Sequence, residues 1–173
     1  MPIRVEVYVG GGIVSGVVAR AGRLRDVLEA GDGIEVERAR WTPLDGSPAA
    51  APRGIRLEAD DIWIAAGDDD SQGPVHAVWH RVRLAVGPYV VEGELPTMPG
   101  FDPGRALTRP SGTFVLLRDV RISLADRPGG GGAEHGHAHV NRYAVDEVSA
   151  DLMLGFFFPG AHYPPTGVAA PAG

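Results

Sequence analysis

Arg4–Val18 reads RVEVYVGGGIVSGVV, and Arg81–Leu95, shifted by 77 residues, reads RVRLAVGPYVVEGEL. The two stretches align without a gap. Arg4, Val5, Val9, Gly10, Val14 and Gly16 meet Arg81, Val82, Val86, Gly87, Val91 and Gly93, six identities in fifteen positions, where composition alone gives roughly one. Val5, Val7 and Val9 alternate with Glu6 and Tyr8, the period of a strand buried on one face. Gly10-Gly11-Gly12 supplies a turn, and Ile13–Ala19 returns as the second arm of a hairpin. The chain is therefore expected to carry one hairpin unit twice.

The likeness extends beyond the hairpins. Leu24, Val27 and Leu28 stand at i, i+3 and i+4, so residues 23–30 read as a short amphipathic helix that Gly31 stops. In the second copy Asp102 is a good N-cap with Pro103 at the first helical position, and Arg23–Leu28 sits opposite Asp102–Leu107. Strands are expected at 34–41, at 55–66 with a bend at Asp60-Asp61, at 82–86, 89–95 and 114–124, and within 143–158. Leu57–Ile62 aligns with Tyr143–Val148 as a third block.

The expected fold is mainly β with short helices (α+β): two tandem ββαββ repeats packed as a pseudo-two-fold pair of small curved sheets or barrels. One such unit alone buries little and leaves sheet edges open. The first repeat covers residues 1–70, a linker 71–77 follows the acidic run Asp68–Asp70 with the turn residues Gly73-Pro74, and the second repeat covers 78–158 with a long loop at 125–140. Residues 159–173 read as an extended or disordered tail.

Gly16, the run Arg23-Leu24-Arg25-Asp26-Val27-Leu28 and the pair Asn141-Arg142 resemble a group of small bacterial proteins of unknown function. Asp102-Pro103-Gly104-Arg105 departs from that pattern. The resemblance implies a small β-barrel-like fold similar to Sm-like barrels, and it implies no activity.

The net charge of −6 lacks the positive field that nucleic-acid binding needs. All sixteen basic residues are arginine, which reads as the mark of a GC-rich genome. With no cysteine, disulfides and thiolate chemistry are excluded. The N-terminus enters directly into the strand pattern, so no signal peptide is expected, and no apolar run reaches membrane-spanning length. A cytoplasmic protein is expected, with peripheral contact to a membrane complex left open.

Gly10-Gly11-Gly12 lacks the Lys-Ser/Thr of a phosphate loop. Ser15, Ser111 and Ser123 lie in no G-x-S-x-G context. No catalytic residue is assigned. Two segments stand out because only one copy carries them. In Glu134–His139, the histidines His135, His137 and His139 alternate, so in a strand they would share one face and could hold Zn²⁺, Ni²⁺ or Cu²⁺. Against this stands a solvated Gly/His loop without a cofactor. In Phe156-Phe157-Phe158, consecutive aromatics cannot all enter one core, and with Tyr163 they read as an anchor for a protein partner. The alternative is a last core strand. The acidic set Asp60, Asp61 and Asp68–Asp70 reads as turn and linker residues, and Trp41, Trp63 and Trp79 as core.

The leading expectation is a non-enzymatic structural or interaction protein, an accessory subunit of a larger bacterial complex, docking through its loops and the aromatic C-terminal segment. The alternative is a metal- or small-ligand-binding module using residues 134–139.

Overall fold

Period-2 patterning makes strands where one face can be buried, and the hairpins form as the sequence dictates. The computed structural model describes residues 1–20, 22–68, 73–97, 112–151, 154 and 157–164. In the first half, β1 (Ile3–Val9) and β2 (Gly12–Val18) pair from Ile3↔Val18 to Val9↔Gly12. Helix α1 (Leu24–Glu29) buries Leu24, Val27 and Leu28, and Gly31 follows at φ +77°, a conformation glycine adopts without strain. Then come β3 (Ile34–Pro43), β4 (Gly54–Leu57), a single 3₁₀ turn at Ala59–Asp61, and β5 (Ile64–Gly67). The bend expected at Asp60-Asp61 is this turn, and it divides the expected fourth strand into two.

The second half contains β6 (Val78–Val86), β7 (Tyr89–Thr97), β8 (Phe114–Leu124), β9 (Ala133–Asn141), a 3₁₀ turn at Arg142–Ala144, and β10 (Glu147–Ala150). The expected helix at 102–107 and residues Ser71 and Gln72 of the expected linker lie outside the described residues. The expected long loop at 125–140 is a hairpin: β9 pairs with β8 from Phe114↔Asn141 to Ile122↔Ala133.

All ten strands of the described residues join one antiparallel sheet in the order β10-β6-β7-β8-β9-β5-β1-β2-β3-β4. The expected packed pair of small curved sheets or barrels is corrected here to one continuous sheet, whose strand order is open at β10 and β4 and does not close into a barrel. What fuses the halves is the seam Ile64↔Val140, Ala65↔His139 and Ala66↔Ala138, which pairs two edges that separate units would leave exposed. Within the halves the orders are β5-β1-β2-β3-β4 and β10-β6-β7-β8-β9.

Two bulges bend the sheet. Pairing of β2 with β3 slips between Ser15 and Val17, opposite Arg38 at φ +51°. Pairing of β7 with β8 slips between Glu92 and Glu94, opposite Asp119 at φ +50°. Gly16 and Gly93 face these kinks, and a Cβ on Gly16 would lie 2.6 Å from the Glu37 carbonyl. An extra residue in one strand of a pair increases local twist and bends the strand.

Two cores result. One gathers Val7, Val14, Leu24, Val27, Val36 and Ile62 of the first half with Phe114 of the second. The other gathers Leu84, Val91, Leu117 and Phe158 of the second half with Tyr8 and Ile64 of the first. The seam strands feed both: Val7 and Ala65 enter one core, Tyr8 and Ala66 the other.

Candidate functional site

The histidine segment lies in the middle of the sheet. His139 is 2% exposed and stands opposite Ala65, whose side chain belongs to the first core. His135 stands opposite Val120, which belongs to the second core. His135 and His139 therefore do not share a face, contrary to expectation, because alternation is lost where Asp119 kinks β8. His137 pairs with Arg118. Among the described residues, no three His, Asp or Glu side chains come close enough to share a metal ion.

His135 instead completes a polar cluster across the seam. Its Nε2 is 3.0 Å from the Tyr8 hydroxyl and 3.6 Å from Glu6 Oε1. The Tyr8 hydroxyl donates to Glu6 Oε1. Glu6 and Tyr8 are two apart on β1, so strand alternation sets them side by side. The His135 hydrogen bond holds the Glu6 carboxyl below the usual range, against the opposing effect of burial. Burial, and then Glu6, push the Tyr8 phenol upward. Each group is spent on its neighbour. The sequence gives little signal for the cluster, because His135 is 127 residues from Tyr8.

The aromatic segment turns inward. Phe158 is fully buried and Phe157 is 9% exposed, both in the second core, and Tyr163 packs against that core. The surface anchor expected from Phe157 and Phe158 is thus corrected: the two residues lie in a turn, not a strand, with the Phe157 N–H bonded to the Leu154 carbonyl, and adjacent rings both enter the core. Phe156 lies outside the described residues. The Tyr163 hydroxyl is buried, which raises its pKa to about 12.

The segment then reaches the sheet edge. His162 bridges β10 in parallel: its N–H donates to the Asp146 carbonyl at 2.7 Å, and its carbonyl accepts from the Val148 N–H at 2.9 Å. At the other end of the sheet, β4 pairs with β3 through Ile34↔Leu57, Glu35↔Arg56, Val36↔Ile55 and Glu37↔Gly54. The Arg38 N–H donates to the Arg53 carbonyl, so alternation turns Ile55 and Leu57 toward β3 and the backbone of Gly54 and Arg56 outward. Among the described residues, no backbone group bonds that outer edge of β4. The sheet thus presents one sealed edge and one open edge, and the open one carries the exposed Arg56.

Comparison with protein families, with curated proteins and with solved structures finds no match to this chain. Among the described residues no helix is long and apolar enough to cross a membrane.

Proposed function

We propose that this chain is a non-enzymatic interaction protein, a structural subunit of a larger assembly, that docks by accepting a neighbour's strand on the open edge of β4. Main-chain hydrogen bonds supply affinity in such strand addition, and alternate side chains supply selectivity. The observation that carries the reading is the outward backbone of Gly54 and Arg56 at the end of a ten-stranded sheet, to which no backbone group bonds among the described residues. Native proteins usually blunt such an edge, and among the described residues β4 has its short length and the charge of Arg56 to do so.

The chain reads best as two copies of one five-stranded unit. Support comes from the aligned hairpins, the matching strand orders, and bulges at Gly16 and Gly93 in corresponding places. One adjustment is needed: Trp63 donates to Tyr8 as Asp146 donates to Ala85, so Trp63, not Asp60, corresponds to Asp146. The seam between β9 and β5 is then itself a case of strand addition between units. The engagement of His135 with Tyr8 and Glu6 favours this reading over a metal-binding one.

Arg56→Pro is the direct test. Proline removes an outward N–H without touching the β3 ladder, a placement that edge strands tolerate. Cross-linking in cells followed by purification of this chain is expected to lose its stoichiometric partner in the variant, with thermal stability retained. A partner set indifferent to Arg56→Pro rules the reading out.

A further inference from the structure

We infer that the partner for the β4 edge is the β10 edge of a second copy of this chain, and that His162 holds that β10 edge closed. The inference rests on the strand-addition reading above and names its occupant.

The seam inside the chain is the template. There β9 joins β5 through Val140↔Ile64, His139↔Ala65 and Ala138↔Ala66. Each of these residues has a counterpart at a free end of the sheet. Leu57 pairs with Ile34 in β3 as Val140 pairs with Val115 in β8, and Ile34 and Val115 each stand four residues before a positive-φ kink, at Arg38 and Asp119 respectively. Ile55, Arg56 and Leu57 thus stand where Ala138, His139 and Val140 stand in β9. Ile64 pairs with Tyr8 in β1 as Glu147 pairs with Ala85 in β6. Glu147, Val148 and Ser149 thus stand where Ile64, Ala65 and Ala66 stand in β5. The seam consumes one edge of each kind and leaves one edge of each kind, at opposite ends of the sheet.

Two copies joined in the same way would pair Leu57 with Glu147, Arg56 with Val148 and Ile55 with Ser149. Such a head-to-tail contact is heterologous, so it repeats until a ring closes or a filament extends.

His162 occupies the slot this pairing needs. Trp63 donates its N–H to Tyr8 and accepts on its carbonyl from the Asn141 N–H of β9 at 2.8 Å. Asp146 donates its N–H to Ala85 and accepts from the His162 N–H at 2.7 Å. The tail therefore takes on β10 the place that β9 takes on β5, with a single-residue bridge where a strand would lay three pairs. Docking of a second β4 exchanges the tail for the longer ladder.

The test uses the purified full-length chain. His162→Pro deletes the donor to Asp146 and leaves Phe157 and Phe158 in place. Sedimentation velocity over a concentration series is expected to show association at about ten-fold lower concentration than in the parent, the equivalent of one hydrogen bond. Arg56→Pro added to His162→Pro is expected to restore the monomer. Because the chain has no cysteine, Ile55→Cys with Ser149→Cys gives a second readout. These positions face each other as a non-hydrogen-bonded pair in the inferred register, with Cα atoms about 4.5 Å apart, within disulfide reach. Oxidation is expected to produce disulfide-linked multimers. Unchanged association of His162→Pro, association indifferent to Arg56→Pro, or only monomeric products of the cysteine pair overturns the inference. If cellular partner loss on Arg56→Pro persists while the purified chain stays monomeric, the open edge remains a docking site and only the second copy is excluded as its occupant.

Discussion

The hydroxyl of Tyr89, on β7 of the second half, lies 2.6 Å from the Val9 carbonyl and 2.9 Å from the Gly12 carbonyl, at the two ends of the β1–β2 turn. Tyr89 is 1% exposed, and its ring meets Tyr8 edge to face with centroids 5.2 Å apart. One side chain thus ties the second half to the hairpin of the first through two buried acceptors. Burial raises its phenol pKa, so the group stays a donor.

Tyr89→Phe keeps the ring and removes the donor, leaving both carbonyls short of a partner. The expected loss is about 1–2 kcal/mol, or roughly 2–4 °C in Tm per kcal/mol for a chain of this size. Thermal unfolding followed by circular dichroism checks it, and an unchanged Tm would show that the carbonyls find water instead.

A second tie runs from α1 to β8. The Glu29 carboxylate accepts the backbone N–H groups of Thr113, at 2.9 Å, and Phe114, at 2.8 Å. Gly112, at φ +92°, lies against that carboxylate, where a Cβ would collide with it. Glu29→Ala is expected to cost about 1.5–3 kcal/mol, the range for hydrogen bonds to a charged group. Gly112→Ala is expected to destabilise as well, through both the clash and the positive φ. Urea midpoints of the two variants, with an unchanged m-value, would establish this; a Glu29→Ala midpoint equal to that of the parent would refute it.

The bulges give a graded prediction. A Cβ on Gly16 would sit 2.6 Å from both the Glu37 carbonyl and Val36 Cγ1, whereas on Gly93 it would sit 3.1 Å from the Arg118 carbonyl. Gly16→Ala is therefore expected to cost about 1–3 kcal/mol, and Gly93→Ala clearly less. Equal losses at the two sites would contradict the difference in spacing.

These features explain which parts of the fold were legible. The hairpins Ile3–Val18 and Val78–Thr97 carry their own period-2 pattern and turn glycines, so local sequence suffices for them. Leu24, Val27 and Leu28 similarly announce α1. β9 does not announce itself: AEHGHAHVN is polar, contains glycine and follows a run of glycines, and it becomes a strand because β8 and β5 pair with it on both sides. The same tertiary cause places His135 beside Tyr8. Phe157 and Phe158 look like a surface anchor because a strand alternates its side chains, but they lie in a turn, where no such alternation holds. The open edge of β4 is invisible in sequence, since an edge is defined by what fails to pair with it.

The Glu6 cluster yields a pH prediction whose sign is fixed by the direction of one shift. The folded-state pKa of Glu6 lies below its ordinary value of 4.5, chiefly through the His135 hydrogen bond. A carboxyl lowered on folding contributes stability above its unfolded pKa and loses it as pH falls through the folded value. Tyr8 and His135 are the titratable groups facing it, and the Tyr8 phenol, shifted upward, stays protonated throughout the acid range. At pH 5 the parent is therefore expected to be more stable than Glu6→Gln, and the gap is expected to narrow steadily below about pH 4.5. His135→Ala removes the main cause of the shift, so in that background the contribution of Glu6 should be smaller at pH 5 and fade at a higher pH. Urea midpoints of the parent, both single variants and the double variant between pH 5 and pH 3 test this. A parent–Glu6→Gln gap that widens on acidification would mean that the carboxyl is stabilised in its protonated form, with Tyr8 and His135 acting on the neutral acid.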